Sequence, residues 1–272
     1  MMRKSIIDLL NQDLDLVKEY SKLYKLFKSE VIYRDFDDIS EYSLYDYFEY
    51  KLFNWKFKGT NSRVKEILDK LQLQSTTSKE FAIEDILNLI DLIKNAEKFC
   101  DSITYSYQKY QSYLMNNIDI ILNELGYTVV QRDEDSVQLI KKDADALATA
   151  LEVDDISLSR SILNYMDFRI EDDLDSKKDI IKRLADYLEP ERALLKQLNS
   201  SLEDQIFYNL NNIHLRHNNQ KGENKKEYVA NMSEEELLSW YDKTYSLILT
   251  AIRLIEFNKN KQEYKDLKKN IG

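Results

Sequence analysis

The stretch SEEELLSWYDKTYSLILTAIRLIEF, from Ser233 to Phe257, contains a long helical pattern that opens with a start signal. Ser233 and Glu236 have the spacing of a capping box, in which two side chains satisfy free N–H groups at a helix start. Behind them, apolar residues recur at steps of three and four, and others widen the same face. These residues are Leu237, Leu238, Trp240, Tyr241, Tyr245, Leu247, Ile248, Ala251, Ile252, Leu254 and Ile255. A face this broad predicts a helix buried on more than one side, in a bundle core and in a dimer interface.

The composition extends the helical prediction to the rest of the chain. Of the 272 residues, 43% are hydrophobic and 32% are charged, so the chain can both build a core and cover it. It contains only 4 Gly and 1 Pro, which β-rich folds need for turns and bulges. We therefore expect an all-α, multi-helix bundle. Since one core seldom grows past about 250 residues, we expect an aromatic-rich helical subdomain over 1–125 and a C-terminal bundle over 155–272, joined by a connector over 126–154.

One small β-hairpin is the only non-helical element that the patterns predict. Gly126 ends a helical run, and residues 127–130 and 136–140 have strand character on both sides of the polar turn 131–135. The turn is acidic, which argues against the wing of a DNA-binding domain. Besides the helix that starts at Ser233, helices are expected over 6–26, 78–125 with one break, 143–151, 157–168, 176–188 and 191–215.

Net charge and cysteine usage restrict the cellular setting. The formal charge is −10, which argues against a surface built broadly for nucleic-acid backbones and leaves room only for a local basic site. The single cysteine, Cys100, cannot form a disulfide within the chain, and no signal-peptide pattern is visible. No stretch approaches the ~20 apolar residues that a membrane span requires. We expect a cytoplasmic bacterial or phage protein that has no membrane contact and no cofactor.

Eight aromatic residues lie close together between Tyr42 and Phe57. They are Tyr42, Tyr45, Tyr47, Phe48, Tyr50, Phe53, Trp55 and Phe57. Aromatic side chains at helical spacing usually fill a core or a dimer interface, and that interpretation is preferred here. The alternative is that they stack on the bases of a single-stranded nucleic acid.

Two further features could indicate chemistry but have simpler explanations. Cys100 belongs to the apolar face of the long helical stretch, which predicts a small buried residue and not a nucleophile. The acidic residues 171–175 lack the ligand spacing and turn glycine of a calcium loop, so they predict a solvated loop that caps the next helix. Two histidines and one distant cysteine do not make a zinc ligand set, and no metal site is predicted.

The strongest candidate site surrounds the only two histidines of the chain, His214 and His217, which flank Arg216. A helix that ends here would bring Asn211, His214 and Asn218 to one face, with Arg216 and His217 directed elsewhere on its last turn. Histidine exchanges protons near neutral pH, and arginine holds phosphate through paired hydrogen bonds. These residues predict catalysis by Arg216, His217 and His214 in metal-independent RNA cleavage, in which a base activates the ribose 2′-hydroxyl.

The neighbouring polar residues Asn211, Asn218, Asn219 and Lys221 would form the binding part of this site. The alternative interpretation is structural, because Asn, His and Arg at a helix C-terminus satisfy free carbonyl groups and complement the helix dipole.

At these residues the chain resembles the HEPN-type helical domains of bacterial abortive-infection and toxin–antitoxin proteins. The resemblance covers about 157–257 and consists of a helix that ends in Arg216-His217, a polar loop to Asn231 and a long closing helix from Ser233. It implies a homodimer with the motif at its interface and a link to RNA and phage defence. Active members carry a histidine five or six positions after the arginine, where this chain has Lys221 and Gly222. Two hypotheses follow: an HEPN-like protein that binds or cleaves RNA, or a non-catalytic helical module that dimerises or binds a protein partner.

Overall fold

The structure is a computed structural model that describes residues 14–29, 31–34, 41–73, 81–103 and 111–271. The chain divides into two compact units, residues 1–139 and 140–272. Helices dominate both units, which confirms the all-α, multi-helix prediction. In the described part of the chain, no helix is both long enough and apolar enough to cross a membrane.

The N-terminal unit consists of helices with two small antiparallel strand pairs. Its elements are α1 (Leu16–Ser29), β1 (Val31–Arg34), β2 (Glu41–Ser43), α2 (Leu44–Lys51), a 3-10 turn (Leu52–Asn54), α3 (Val64–Lys70), α4 (Ile83–Ile103), α5 (Gln111–Leu125), β3 (Tyr127–Asp133) and β4 (Ser136–Lys141), whose last two residues belong to the second unit. Helix α1 packs against α2, α4 and α5. Buried side chains such as Leu23, Phe27, Phe48, Ile86 and Ile90 form this core.

The predicted hairpin at 127–140 is present as β3 and β4, and Gly126 precedes it with a positive φ of 77°. It is not the only non-helical element, because β1 pairs with β2 through Tyr33 opposite Tyr42 and Arg34 opposite Glu41. The prediction of a single hairpin was therefore wrong. The sequence did contain a signal for β1, since Val31, Ile32 and Tyr33 are β-branched or aromatic residues that fit an extended backbone.

Two predicted helix starts also shift. Helix α1 begins at Leu16, because the Asp15 carboxylate accepts the backbone N–H of Lys18 and caps the helix there; residues 6–13 of the predicted helix lie outside the described residues. Helix α4 begins at Ile83, where the Asp85 side chain accepts the N–H of Ala82. Residues 104–110, between α4 and α5, lie outside the described residues, so the break in the long helix stays a prediction. Cys100 is buried on α4 as expected.

The C-terminal unit is a bundle built around one long helix. Its elements are α6 (Ala144–Glu152), α7 (Ile156–Tyr165), a 3-10 turn (Phe168–Ile170), α8 (Leu174–Leu188), α9 (Arg192–Leu198), α10 (Ser200–Asn212), α11 (Glu227–Ala230), α12 (Glu234–Lys259) and α13 (Lys261–Ile271). Helix α12 packs against α6, α8, α9 and α10. Its start carries both hydrogen bonds of the predicted capping box between Ser233 and Glu236. Asp173, in the acidic loop, caps α8 through the backbone N–H of Ser176 as expected.

The helix predicted over 191–215 is two helices, and this changes the candidate site. Asn199 has an extended backbone, and its side chain accepts the N–H of Leu202, so it ends α9 and starts α10. Asparagine competes for backbone hydrogen bonds in this way wherever a helix can be restarted. The second helix ends at Asn212 and does not reach Leu215.

Candidate functional site

The chain leaves helix α10 immediately before the predicted catalytic residues. Asn211 lies half-buried in the last turn, and Ile213 closes the helix by donating its N–H to the Asn209 carbonyl at 3.0 Å. His214 then adopts the left-handed conformation, with φ of 64°. The prediction that Asn211, His214 and Asn218 share one helix face is therefore wrong, because His214 and Asn218 lie beyond the helix end.

Asn219 holds the turn that follows the helix. Its side chain is buried, accepts the backbone N–H of His214 at 2.8 Å and donates to the carbonyl of Asn224 at 3.1 Å. The backbone carbonyl of Asn219 accepts the backbone N–H of Lys226 at 2.7 Å. Both polar ends of this side chain are used within the loop, so Asn219 fixes loop geometry and offers little to a ligand.

His214 lies in an unusual position for a surface histidine. A positive φ is uncommon outside glycine and costs on the order of 1 kcal/mol or more. The ring is half-buried, and its Nδ1 atom is buried with no hydrogen-bond partner in the described part of the chain. The His214 carbonyl accepts the Tyr241 hydroxyl at 3.3 Å, which joins this turn to helix α12.

Burial lowers the pKa of His214 below its ordinary value, and the positive charge of Lys178 lowers it further. Lys182 acts in the same direction, whereas Asp175 opposes it. His214 is therefore neutral at physiological pH. Since a buried N–H without an acceptor is costly, the surroundings of Nδ1 favour the tautomer that carries its proton on Nε2. That tautomer can donate a hydrogen bond to a phosphate oxygen.

Arg216 is already held by protein groups. Its guanidinium lies 2.5 Å from the Glu189 carboxylate and 5.5 Å from the centre of the Phe207 ring. Arg192 approaches the same ring at 3.9 Å and pairs with the buried Glu203 at 2.5 Å. A phosphate at Arg216 would compete with Glu189 for the guanidinium, and the pair connects the loop to the end of α8.

The remaining candidates lie on the exposed outer part of the loop. The Asn218 side chain accepts the backbone N–H groups of Gln220 and Lys221 at 3.3 and 3.1 Å, which forms a tight turn before Gly222. His217 and Lys221 are exposed, and among the described residues their side chains have no hydrogen-bond partner. These two are the predicted site residues that remain open to a ligand.

The structure also contains a polar cavity that the sequence patterns did not indicate. It measures about 380 Å³ and is lined by residues that include Tyr165, Lys177, Asp242 and Tyr245. Lys177 is buried and donates to Asp242 at 2.9 Å, while the Tyr165 hydroxyl donates to the same carboxylate oxygen at 2.8 Å. A signal existed, because Lys177 occupies the apolar face that continues with Ile180 along α8.

This cavity combines one buried cation with several carboxylates and two tyrosine rings. Tyr165 and Tyr245 stack with their ring centres 3.9 Å apart, and burial raises the pKa of both hydroxyls. The ion pair between Lys177 and Asp242 is complete without a ligand. Within the described residues, no group of histidine, cysteine and acidic side chains is arranged to hold a metal ion.

Comparison of the chain with protein-family models, with curated proteins and with solved structures finds no match. The HEPN resemblance therefore stays an expectation drawn from the sequence.

Proposed function

We propose that the C-terminal unit is an HEPN-like module that binds RNA without cleaving it, in the cytoplasm of a bacterium that defends itself against phage. The contact surface would consist of Lys178 and Lys182 on α8, the ring of His214 and the exposed loop residues His217 and Lys221. The observation that carries the proposal is the position of His214, which lies close enough to both lysines for their charges to lower its pKa.

Binding is supported by the local charge of these groups, of which His217 and Lys221 are exposed and Lys178 and Lys182 are half-buried. Lys178 and Lys182 are four residues apart on one helix and therefore lie on the same side of α8. Phosphate backbones are recognised mainly by lysine and arginine, supported by hydrogen-bond donors such as the Nε2–H of His214. Lys182 pairs with Asp179 at 3.2 Å, but this partly exposed pair is weak enough to exchange for a phosphate.

The absence of cleavage is supported by the state of the predicted catalytic residues. Metal-independent cleavage needs a base and a cation directed at the same phosphate. Arg216 is held by Glu189 and Phe207, and the tautomer that the surroundings of His214 favour keeps the unprotonated nitrogen buried, so His217 is the one predicted catalytic residue that stays open. Positions five and six after Arg216 are Lys221 and Gly222, so the second histidine of the family motif is missing.

The experiment is fluorescence anisotropy with a 5′-labelled 20-nucleotide RNA titrated with the full chain at several salt concentrations. The double substitution Lys178→Ala and Lys182→Ala should weaken binding about tenfold and reduce the salt slope by roughly 0.7 for each lysine removed. Lys196→Ala is the matched control, since Lys196 is an exposed lysine of the same unit. The RNA should remain intact on a denaturing gel. Unchanged affinity in the double variant would contradict the binding surface, and cleaved RNA would contradict the second part of the proposal.

One of the two observations from which a homodimer was expected no longer supports it. The broad apolar face of α12 is covered within one chain, because Tyr241, Ile248 and Ile252 are buried in the core of the unit and Trp240 and Leu254 pack against it. The non-catalytic dimerisation module therefore stays the second hypothesis. Light scattering at tens of micromolar protein distinguishes a monomer from a dimer.

A further inference from the structure

The aromatic segment of the N-terminal unit divides into buried and exposed side chains. Tyr47, Phe48 and Trp55 are buried, as the core interpretation predicts. Tyr50, Phe53 and Phe57 are 64%, 84% and 41% exposed. We call these last three rings the aromatic surface.

The local backbone explains why the aromatic surface faces solvent. Helix α2 ends at Lys51, and the 3-10 turn that follows directs Leu52 and Trp55 into the core. Phe53 lies between these two inward residues and is left outside. Phe57 contacts the buried Trp55 edge to face, with ring centres 5.8 Å apart, so its ring rests on a rigid support.

Positive charge concentrates on the same segment. Residues 50–65 contain five basic residues, Lys51, Lys56, Lys58, Arg63 and Lys65, and no acidic residue, in a chain whose formal charge is −10. A lysine ammonium group lies over each of the three rings. The distance from Nζ to the ring centre is 4.6 Å for Lys51 over Tyr50 and 5.5 Å for Lys58 over Phe53. For Lys56 over Phe57 it is 4.9 Å.

Acidic side chains reach only one of these lysines. Lys56 pairs with Asp133 and Asp135, at 3.4 and 3.1 Å. Within the described residues, Lys51 and Lys58 have no carboxylate partner. These two lysines are therefore the cations available to a phosphate backbone.

The combination points to one class of partner. Exposed aromatic rings stack on bases, and adjacent lysines contact the phosphates, which is how proteins bind single strands without reading their sequence. A duplex hides the faces of its bases and would use only the lysines. An apolar protein partner would use the rings but would have to cover Lys51 and Lys58 without compensating their charge.

We propose that the N-terminal unit binds single-stranded nucleic acid, with bases stacked on Tyr50, Phe53 and Phe57 and phosphates bound by Lys51 and Lys58. This site lies outside the HEPN-like region, and the proposal does not rest on RNA binding by the C-terminal unit. Ribose and deoxyribose strands both offer stacked bases and phosphates, so both kinds of strand are expected to bind.

The first experiment measures affinity by fluorescence anisotropy, with labelled 20-nucleotide U and dT strands and a duplex of equal length. Phe53→Ala in the full chain should weaken single-strand binding about tenfold and leave duplex binding unchanged. Phe53→Trp should bind single strands as tightly as the wild-type chain, because it keeps an aromatic ring on which a base can stack. Tyr113→Ala is the matched control, since Tyr113 is 55% exposed in the same unit and also has a lysine over its ring. Equal affinities of Phe53→Ala and Tyr113→Ala would overturn the proposal.

The second experiment locates the contact. A U strand that carries 4-thiouridine is cross-linked to the full chain, and adducts are mapped by mass spectrometry. Adducts at residues 50–58 support the site on the N-terminal unit. Adducts restricted to residues 178–221 would overturn this proposal and leave the function proposed for the C-terminal unit intact. Adducts restricted to residues 50–58 would support this proposal and contradict the one for the C-terminal unit. A change from dimer to monomer in Phe53→Ala with unchanged strand affinity would assign the rings to self-association and overturn the proposal as well.

Discussion

Two groups of aromatic side chains, one in each unit, lie in opposite surroundings. In the C-terminal unit, Tyr165 and Tyr245 are buried and stacked, and each hydroxyl has an acceptor, on Asp242 for one and on the Ile162 carbonyl for the other. In the N-terminal unit, Phe53 and Tyr50 are exposed beside lysines. The same class of residue thus belongs to the core at one place and to the exposed surface at the other.

The difference depends on what covers each ring. Tyr245 belongs to the apolar face of the long helix α12, and Tyr165 stacks on it within the core of the C-terminal unit. The segment from Tyr50 to Phe57 begins at a helix end and continues through a short turn, so only Leu52 and Trp55, three positions apart, are buried. An aromatic cluster in a sequence therefore indicates a core only where a long partner element is available to cover it.

The largest expected effect compares two phenylalanines within the aromatic segment. Phe48→Ala should lower the free energy of unfolding by about 3–5 kcal/mol, because it leaves a cavity beneath Trp55 and Phe99. Phe53→Ala should change it by less than about 0.5 kcal/mol, since the ring is exposed. Urea denaturation followed by circular dichroism measures both. Similar losses for the two variants would mean that the segment is one continuous core and that the aromatic surface does not exist.

An intermediate effect is expected for the ion pair of the C-terminal cavity. Asp242→Ala removes the partner of the buried Lys177 and the acceptor of Tyr165, and should cost about 2–3 kcal/mol. Lys177→Met should cost less, because Asp242 is exposed and water can solvate it while methionine keeps the apolar stem. Thermal melts of the two variants test this order. The opposite order would show that the charge of Lys177 itself stabilises the bundle.

The smallest effect concerns His214, whose buried Nδ1 has no hydrogen-bond partner among the described residues. Because burial and Lys178 lower its pKa in the folded state, the unfolded chain takes up a proton first as the pH falls below about 6.5. The wild-type chain should therefore lose stability relative to His214→Asn as the pH falls through this range. Asparagine tolerates the positive φ, so the backbone is preserved. Urea titrations of both proteins at pH 7.5 and 5.5 measure this loss. The same difference in the free energy of unfolding between wild type and variant at both pH values would contradict a depressed pKa.

The sequence by itself determined the helical class of this protein and several boundaries. The capping box at Ser233, the apolar face of α12, the hairpin after Gly126 and the cap at Asp173 are local patterns, and local hydrogen bonds and burial periodicity are sufficient to specify them. The scarcity of glycine and proline pointed the same way. Such features depend on residues within a few positions of one another.

Only the tertiary structure decided which of the candidate residues are open to a ligand. Helix α10 ends at Asn212, which leaves His214 beyond the helix end, and Arg216 pairs with Glu189 at the end of α8. Lys177 meets Asp242 across 65 positions of sequence, and the rings of Phe48 and Phe53 differ only in what packs over them. Which charged groups pair, and which rings are packed over, depends on contacts between segments far apart in the chain. No local sequence pattern encodes these contacts.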